Sequence, residues 1–506
     1  MHIPSQVDML IIGGGINGAG IARDAAGRGL SVALCEQNDF ASATSSASTK
    51  LIHGGLRYLE HYEFRLVGEA LAEREVLLRI APHIAWPLRF VMPHAQGLRP
   101  GWMIRLGLLM YDRLGGKTTL PRSSAVCLLR TPYGAGLKTE FYKGYIYSDA
   151  WVDDARLVIL NLRSAADHGA AILPRTRFIG ARRDGGLWHA DIEDQRTQQR
   201  HTVRARMLVN AAGPWVSQVA GTLGHARTKA SVRLVKGSHI VVPKLYEGEH
   251  AYIVQDSGKR IIFMIPYERD FTLIGTTDMV VDSISDGGKI SQQELAYLCA
   301  QVSRYSARPV TPEQVVWSYS GIRPLYDDGS EDPSAVTRDY TLVLEDGEVN
   351  VPQLSVYGGK ITTYRKLAEA ALDKLAPWLG NARGKWTGTE ALPGGDLPVG
   401  GQAAFLAQLA ERYPAMPESL LSALMQRHGS TTLRILGEAR KPADLGAYFG
   451  GQLYEREVRH LIDEEWAQDA EDILWRRTKA GLHMSPQQRE RFAKYMASST
   501  SAHMSA

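Results

Sequence analysis

Cysteine is scarce in this sequence: Cys35, Cys127 and Cys299 are all there are in 506 residues, far apart and without a CxxC pair or metal-ligand spacing. That excludes a disulfide framework and fits a reducing compartment, and no metal site is expected. Long apolar runs are missing too. No stretch reaches the ~18 consecutive apolar residues of a spanning helix, so any membrane contact must be peripheral. The opening MHIPSQVDMLIIGGG has no charged segment leading into a long apolar stretch, and it is not expected to be a secretory leader. Neither sign of charge dominates. With 58 Lys and Arg against 54 Asp and Glu, the net +4 gives no footprint of nucleic-acid binding, yet it does not oppose acidic lipids or phosphorylated substrates. Internal repeats and low-complexity tracts are absent. The chain is too long for one core and should form two or three domains.

What is present begins with VDMLII (7–12), a short apolar run that reads as a buried strand and leads directly into Gly13-Gly14-Gly15-Ile16-Asn17-Gly18. Gly13 can make the tight turn and Gly15 lets backbone approach a pyrophosphate. Gly18 permits close helix–strand packing, and the following helix aims its positive end at phosphates. Ala22 and Ala26 supply its small packing face. The second strand, Ser31 to Cys35, ends on Glu36, which is placed to accept hydrogen bonds from a ribose and would repel a 2′-phosphate. This fingerprint does not separate FAD from NAD. Two later segments favour FAD. Thr44-Ser45-Ser46-Ala47-Ser48-Thr49-Lys50, followed by His53-Gly54-Gly55, is a hydroxyl-rich stretch able to lie along a pyrophosphate and ribityl chain. Met207 to Gly213 reads as a buried strand ending in small residues.

Elsewhere, RLVKGSHIVVP, AYIVQD, RIIFMIPY and FTLIGTTD within 231–278 have the pattern of an antiparallel sheet. Gly358-Gly359-Lys360-Ile361-Thr362-Thr363 precedes a helix stopped by Pro377. Residues 377–401, dense in Gly and Pro, read as a linker. Beyond them the pattern is helical: Ser485-Pro486-Gln487-Gln488 offers a capping box, and Glu464, Glu465, Asp469, Glu471 and Asp472 precede Arg476, Arg477 and Lys479 in the order a helix dipole favours. In 98–113, Trp102, Met103, Leu106, Leu109 and Met110 can form an apolar face with Arg99, Arg105 and Arg113 around it. That is the composition of an interfacial helix, although an amphipathic stretch is more often a core-facing one.

TSSASTKLIHGGLRYLEHYEFRLVGEALAERE (44–75), YSDAWVDDARL (147–157), VKGSHIVVP (235–243), IGTTD (274–278), YSGIRPLYDD (319–328), TRDY (337–340), YGGKITTYRKLAE (357–369) and EDILWRRTK (471–479) carry a resemblance across nearly the whole chain. The sequence resembles the FAD-dependent glycerol-3-phosphate dehydrogenases, within the D-amino-acid-oxidase-like flavoproteins. The resemblance implies α/β plus α+β architecture: a Rossmann-like FAD-binding domain, an antiparallel-sheet substrate domain and an all-α C-terminal domain. The implied ranges are 1–95, 147–230 and 345–380 for FAD, 96–146 and 231–344 for substrate and membrane, and 402–506 for the helical domain. It further implies oxidation of sn-glycerol 3-phosphate to dihydroxyacetone phosphate by bound FAD, with ubiquinone as acceptor; the flavin is expected to be held non-covalently. The protein would lie peripherally on the cytoplasmic side of the cell membrane, against the lipid surface, with a homodimer as its expected assembly. A dioxygen-reducing glycerophosphate oxidase, an amine-oxidising flavoenzyme and a non-catalytic flavin-binding regulator are the alternatives.

Carried over residue by residue, the substrate pocket falls on Arg57, Tyr58, His239, Thr276, Arg323, Arg338 and Lys360, with His239, Lys360 and Arg323 as the catalytic set. The cofactor set is Gly13, Gly15, Asn17, Gly18, Glu36, Thr44, Ser45, Ser48, Lys50, Leu51, His53, Gly213, Gly359 and Thr362. The chemistry is consistent with this. A phosphate dianion needs several compensating charges, and Arg forks match its oxygens. Loss of a hydride from an alcohol requires a base for the hydroxyl proton, for which His239 is the first choice and Lys360 or a water the others.

Overall fold

The computed structural model describes residues 3–56, 59, 62–94, 100–223, 231–255, 260–327, 339–346 and 350–504. Strand Gln6–Ile12 lies at the centre of an eight-stranded sheet, paired in parallel with Val32–Cys35 on one side and Arg200–Asn210 on the other. Arg200–Asn210 pairs in turn with Gln353–Tyr357, so a strand near residue 355 completes a sheet begun near residue 10. Met9 to Ile11 are completely buried, as expected of a parallel strand covered on both faces. Helix Ile16–Gly27 covers one face together with Asp154–Asp167 and Tyr364–Lys374. Small residues set the packing distance. A Cβ at Gly20 would stand 2.7 Å from the Tyr364 ring, so a larger residue there would force the two helices apart.

Among the described residues the second sheet has ten strands. Its longest pairing is antiparallel, Ser231–Pro243 against Trp317–Asp327, with Phe271–Gly275, Ile261–Tyr267 and Ala251–Gln255 following outward. Two boundaries expected from sequence are corrected here. Ala85–Pro93 and Lys143–Val152 belong to this second sheet, zipped to each other from Ala85–Val152 to Pro93–Gly144, so parts of 1–95 and 147–230 lie outside the nucleotide-binding sheet. Conversely, Thr341–Glu345 pairs with Gln353–Tyr357 in the first sheet. Which sheet a strand joins depends on partners distant in sequence.

The C-terminal part is helical, with Gly401–Arg412, Glu418–His428, Thr432–Leu436, Glu455–Asp463 and Pro486–Met504, plus a short hairpin of Tyr448–Gly450 and Leu453–Tyr454. Ser485 and Gln488 form the reciprocal capping bonds. The preceding 377–401 segment is no free linker. Trp386 fills the space beside Gly27, stacks under Arg23 at 4.8 Å and donates to the Asp24 carbonyl.

The acidic-then-basic run also does something other than follow a helix dipole. Arg477 Nη2 reaches Asp39 at 2.7 Å, Arg156 forks Glu465, Lys479 reaches Asp153 at 3.2 Å and Arg175 reaches Asp472 at 2.9 Å, all across the seam to the nucleotide-binding part. Buried pairs of this kind gain little over an apolar seam, but removing one partner costs roughly 3–5 kcal/mol. His428, His460 and Glu465 hold donor atoms within 4.8 Å of one another, but both Glu465 oxygens are already taken by the Arg156 fork.

Candidate active site

Where strand Gln6–Ile12 ends, the chain turns at Gly13 with φ +109°, and a Cβ there would stand 2.5 Å from the Ala211 carbonyl. Gly18 lies against Gly13: a Cβ would come within 2.0 Å of the Gly13 carbonyl oxygen, so this glycine serves helix–strand packing and does not line the cavity. The first turn of the helix contains no acidic residue, and its Ile16 N–H donates to Ser45 Oγ at 3.0 Å. Glu36 accepts from the Gly14 and Asn38 backbone N–H groups, each at 2.8 Å, which fixes its carboxylate at the cavity wall. Burial raises its pKa, and the two N–H donors oppose that rise. Asn17 ties this fingerprint to the distant glycine pair by donating to the Gly358 carbonyl at 3.1 Å.

From this cradle a cavity of about 660 Å³ runs to the second sheet. Gly13, Gly15, Asn17, Glu36, Thr44, Ser45, Ser48, Leu51, His53, Gly213, Gly359 and Thr362 line it, and so do His239, Thr276, Arg323 and Lys360. Lys50 is a correction. It does not line the cavity; its ammonium is buried against Asp154 at 2.7 Å and the Ser46 carbonyl at 3.2 Å. Arg57, Tyr58 and Arg338 lie outside the described residues.

Glycines make room for the polar groups at the far end. His239 pairs across the sheet with Gly275 and Tyr319, and a Cβ at Gly275 would come 2.0 Å from its ring. The imidazole stacks on Tyr319 at 4.8 Å and its Nε2 bonds Thr49 Oγ1 at 3.0 Å. A Cβ at Gly237 would stand 2.7 Å from Thr276 Oγ1 and 3.3 Å from Arg323 Nη2, so this glycine lets both approach. Arg323 donates through Nη2 to Asp278 at 3.0 Å and to the Thr277 carbonyl at 3.4 Å, and is 44% exposed.

Burial pushes the His239 pKa down to about 3, with Lys50 and Arg323 adding repulsion; burial and then Lys360 hold His53 at about 4. Both rings are therefore uncharged at neutral pH. Behind the wall, Glu294 accepts from Ser238 Oγ and Thr277 Oγ1, each at 2.7 Å, and pairs with Lys236 at 2.9 Å. It thereby ties down the neighbours of His239 and Thr276.

Sequence reasoning missed Asp278, Arg260, Ile253 and Phe263, all of which line the cavity. The alternation of RIIF puts Ile261 and Phe263 on one face, which was an available signal. Asp278 stood in IGTTD without a role. At the cavity's edge, Gly54 N–H donates to Tyr111 Oη at 2.8 Å, and Tyr111 donates to Asp149. This links the lining to helix Gly101–Leu114. That helix buries Leu108 and Tyr111, while Trp102 (67% exposed), Leu106 (50%), Met103, Leu109 and Met110 face outward.

A mainly parallel sheet with a glycine cradle, opening through a cavity onto a mainly antiparallel sheet, is the architecture of a dinucleotide-binding oxidoreductase. Comparison with known proteins agrees. Residues 8–365 match the FAD dependent oxidoreductase family, and 386–502 match the C-terminal domain of alpha-glycerophosphate oxidase. The chain is 53% identical over 98% of its length to the glycerol-3-phosphate dehydrogenase of Pseudomonas aeruginosa, covering 97% of that protein. It is 49% identical to the aerobic glycerol-3-phosphate dehydrogenase of Escherichia coli, covering 98% of this chain and 99% of that one. It is also 48% identical to the D-erythritol 1-phosphate dehydrogenase of Brucella abortus, covering 98% of both. The glycerol-3-phosphate dehydrogenase from Bacillus halodurans, solved with FAD, superposes with a TM-score of 0.77 at 28% identity, over 98% of this chain and 91% of that one. The chain belongs to the FAD-dependent glycerol-3-phosphate dehydrogenases, and FAD is its cofactor. The cradle fits the group: Gly13 has no space for a side chain, the helix end is free of acidic side chains, and Glu36 is held at the wall as a hydrogen-bond acceptor.

Proposed function

We propose that the protein oxidises sn-glycerol 3-phosphate to dihydroxyacetone phosphate and passes the electrons to ubiquinone at the cytoplasmic face of the cell membrane. The observation that carries this reading is the convergence of His239, Thr276, Arg323 and Lys360 in the cavity that also contains the glycine cradle. Bound FAD, held by the cradle, Glu36 and the 44–48 segment, supplies the hydride acceptor. The chain does the rest. Arg323 and Lys360 offset the phosphate charge, joined in this reading by Arg57 and Arg338. Thr276 offers a neutral hydrogen bond. His239, uncharged because of its burial, accepts the hydroxyl proton as the C2 hydride leaves. Lys360 is the alternative base.

Membrane attachment is assigned to Gly101–Leu114. Five large apolar side chains turned outward on one face, with the opposite face anchored by Leu108 and Tyr111, suit an interfacial helix better than a soluble surface. That arrangement favours a lipid-borne quinone over dioxygen as acceptor.

The test is anaerobic. Purified protein in mild detergent is mixed with sn-glycerol 3-phosphate, then with a soluble ubiquinone analogue, while the flavin absorbance is followed. Bleaching followed by recovery supports the reading, and a flavin that stays oxidised refutes it. D-erythritol 1-phosphate in a parallel cuvette separates the two polyol phosphates, and reoxidation by oxygen measures the oxidase alternative.

A further inference from the structure

The Ser46–Lys50 segment is fixed on both sides of Thr49. Asp154, completely buried at the start of helix Asp154–Asp167, accepts from Ser48 N–H at 3.1 Å, Ser48 Oγ at 2.7 Å and Lys50 Nζ at 2.7 Å. Lys50 takes φ +59° and its N–H donates to Ser48 Oγ at 2.9 Å. Tyr319 donates its hydroxyl to the Ser48 carbonyl at 2.8 Å while its ring carries the His239 imidazole on one side and contacts the Lys50 ammonium at 4.9 Å. Between these anchors, Thr49 Oγ1 meets His239 Nε2 at 3.0 Å. The other ring nitrogen, Nδ1, is buried without a hydrogen-bond partner among the described residues.

The Cβ tether and the stacking on Tyr319 leave the imidazole only small rocking motions about χ1 and χ2, but stacking resists these weakly because its attraction is broad and non-directional. A hydrogen bond is directional. With Nδ1 unpartnered among the described residues, the Thr49 hydroxyl supplies the directional contact that sets the orientation of the imidazole. We propose that Thr49 is a positioning residue for the oxidation: held by the buried Lys50–Asp154 pair, its hydroxyl fixes the His239 imidazole in place at the wall of the substrate pocket. This rests on the function proposed above.

The experiment is stopped-flow flavin reduction by sn-glycerol 3-phosphate in wild type, Thr49→Val and Thr49→Ser, with FAD content measured on each. Valine keeps the shape and removes the bond; serine keeps the bond. The expected result is a limiting reduction rate lowered roughly 10–100-fold in Thr49→Val, the scale of a misplacement of about 1 Å. The apparent substrate Kd should stay within about threefold, with FAD content unchanged, a larger solvent deuterium isotope effect, and recovery of most of the rate in Thr49→Ser. A Thr49→Val enzyme as fast as wild type, or a Thr49→Ser enzyme as slow as Thr49→Val, would overturn the proposal while leaving the substrate assignment intact. Failure of the wild type to be reduced at all would instead remove the functional reading, and this proposal with it.

Discussion

His83 offers a quantitative test of how burial governs the response to acid. It is completely buried at the seam with the C-terminal domain, and neither ring nitrogen has a hydrogen-bond partner among the described residues. Gly394 and Gly429 crowd it: a Cβ on the first would stand 3.2 Å from Nε2, and one on the second 2.9 Å from Cγ. Burial in the first place, with Arg156 and His428 repelling a further positive charge, pushes its pKa down to about 3 from an ordinary 6.5. The unfolded chain therefore binds a proton below pH 6.5 that the folded chain refuses until about pH 3, so stability falls as pH drops through that window. Each such group costs about 1.4 kcal/mol per pH unit between those limits. At pH 5.5 the unfolded His83 is ~90% protonated, so unfolding takes up about 0.9 proton at this residue. Leucine fills a similar volume without titrating. His83→Leu should unfold at pH 5.5 with about 0.9 fewer protons taken up, measured by calorimetry in buffers of different ionisation enthalpy. This balance holds whether or not a chain of several domains unfolds in one step. From pH 7.5 to 5.5 the variant should lose about 1.4 kcal/mol less stability than wild type. Equal proton uptake in the two proteins would show that His83 is not held uncharged, and the same reasoning for His239 would weaken with it.

Arg323→Ala should raise the KM for sn-glycerol 3-phosphate about 10–150-fold, the range of a lost charge-assisted hydrogen bond, with FAD content unchanged. An unchanged KM in steady-state assays with a quinone analogue would remove Arg323 from the phosphate clamp. The double variant Leu106→Glu with Met110→Glu changes side chains that face outward, so it should release the protein from anionic lipid vesicles in flotation while leaving its activity in detergent with a soluble quinone analogue unaltered. Persistent flotation would place the membrane contact elsewhere. Arg477→Met leaves Asp39 with Arg476 alone and should lower stability by roughly 3 kcal/mol in denaturant titration, without changing the flavin spectrum of the folded protein. Gly13→Ala should abolish FAD retention through purification, because the added carbon has no space beside the Ala211 carbonyl.

How much of this was legible in the sequence depended on how local each signal was. The glycine fingerprint, the strand ending at Glu36 and the four strand-like runs of 231–278 are written in neighbouring residues, and each forms where it was expected. The capping box at Ser485 is equally local. The partition of strands between sheets was not, because nothing within Ala85–Pro93 itself points to its partner Lys143–Val152. The outward apolar face of Gly101–Leu114 was seen as a pattern, but its direction required the buried Leu108 and Tyr111 on the opposite side. A hydrophobic pattern gives the angle between faces and says nothing of which face meets the core.

Charges were the least legible feature, and Lys50 shows why. A lysine at the end of a hydroxyl-rich loop that leads toward a nucleotide cradle has the composition of a phosphate ligand, and nothing within ten residues contradicts that. Its partner, Asp154, lies 104 positions away. The bond from Thr49 to His239 spans 190 positions, that from Tyr319 to Ser48 spans 271, and that from Arg477 to Asp39 spans 438. A buried ammonium cannot stay charged without its counter-ion, so once the fold brings Asp154 to Lys50 the cation is committed to that pair and no longer available to a ligand. Arg323 escapes the same fate by geometry. Its carboxylate partner Asp278 is half exposed, its hydrogen bonds among the described residues run through Nη2, and Arg323 lines the cavity. Whether a cation in such a loop builds the site or binds its ligand is thus decided by the depth of its counter-ion, a quantity set by tertiary packing alone.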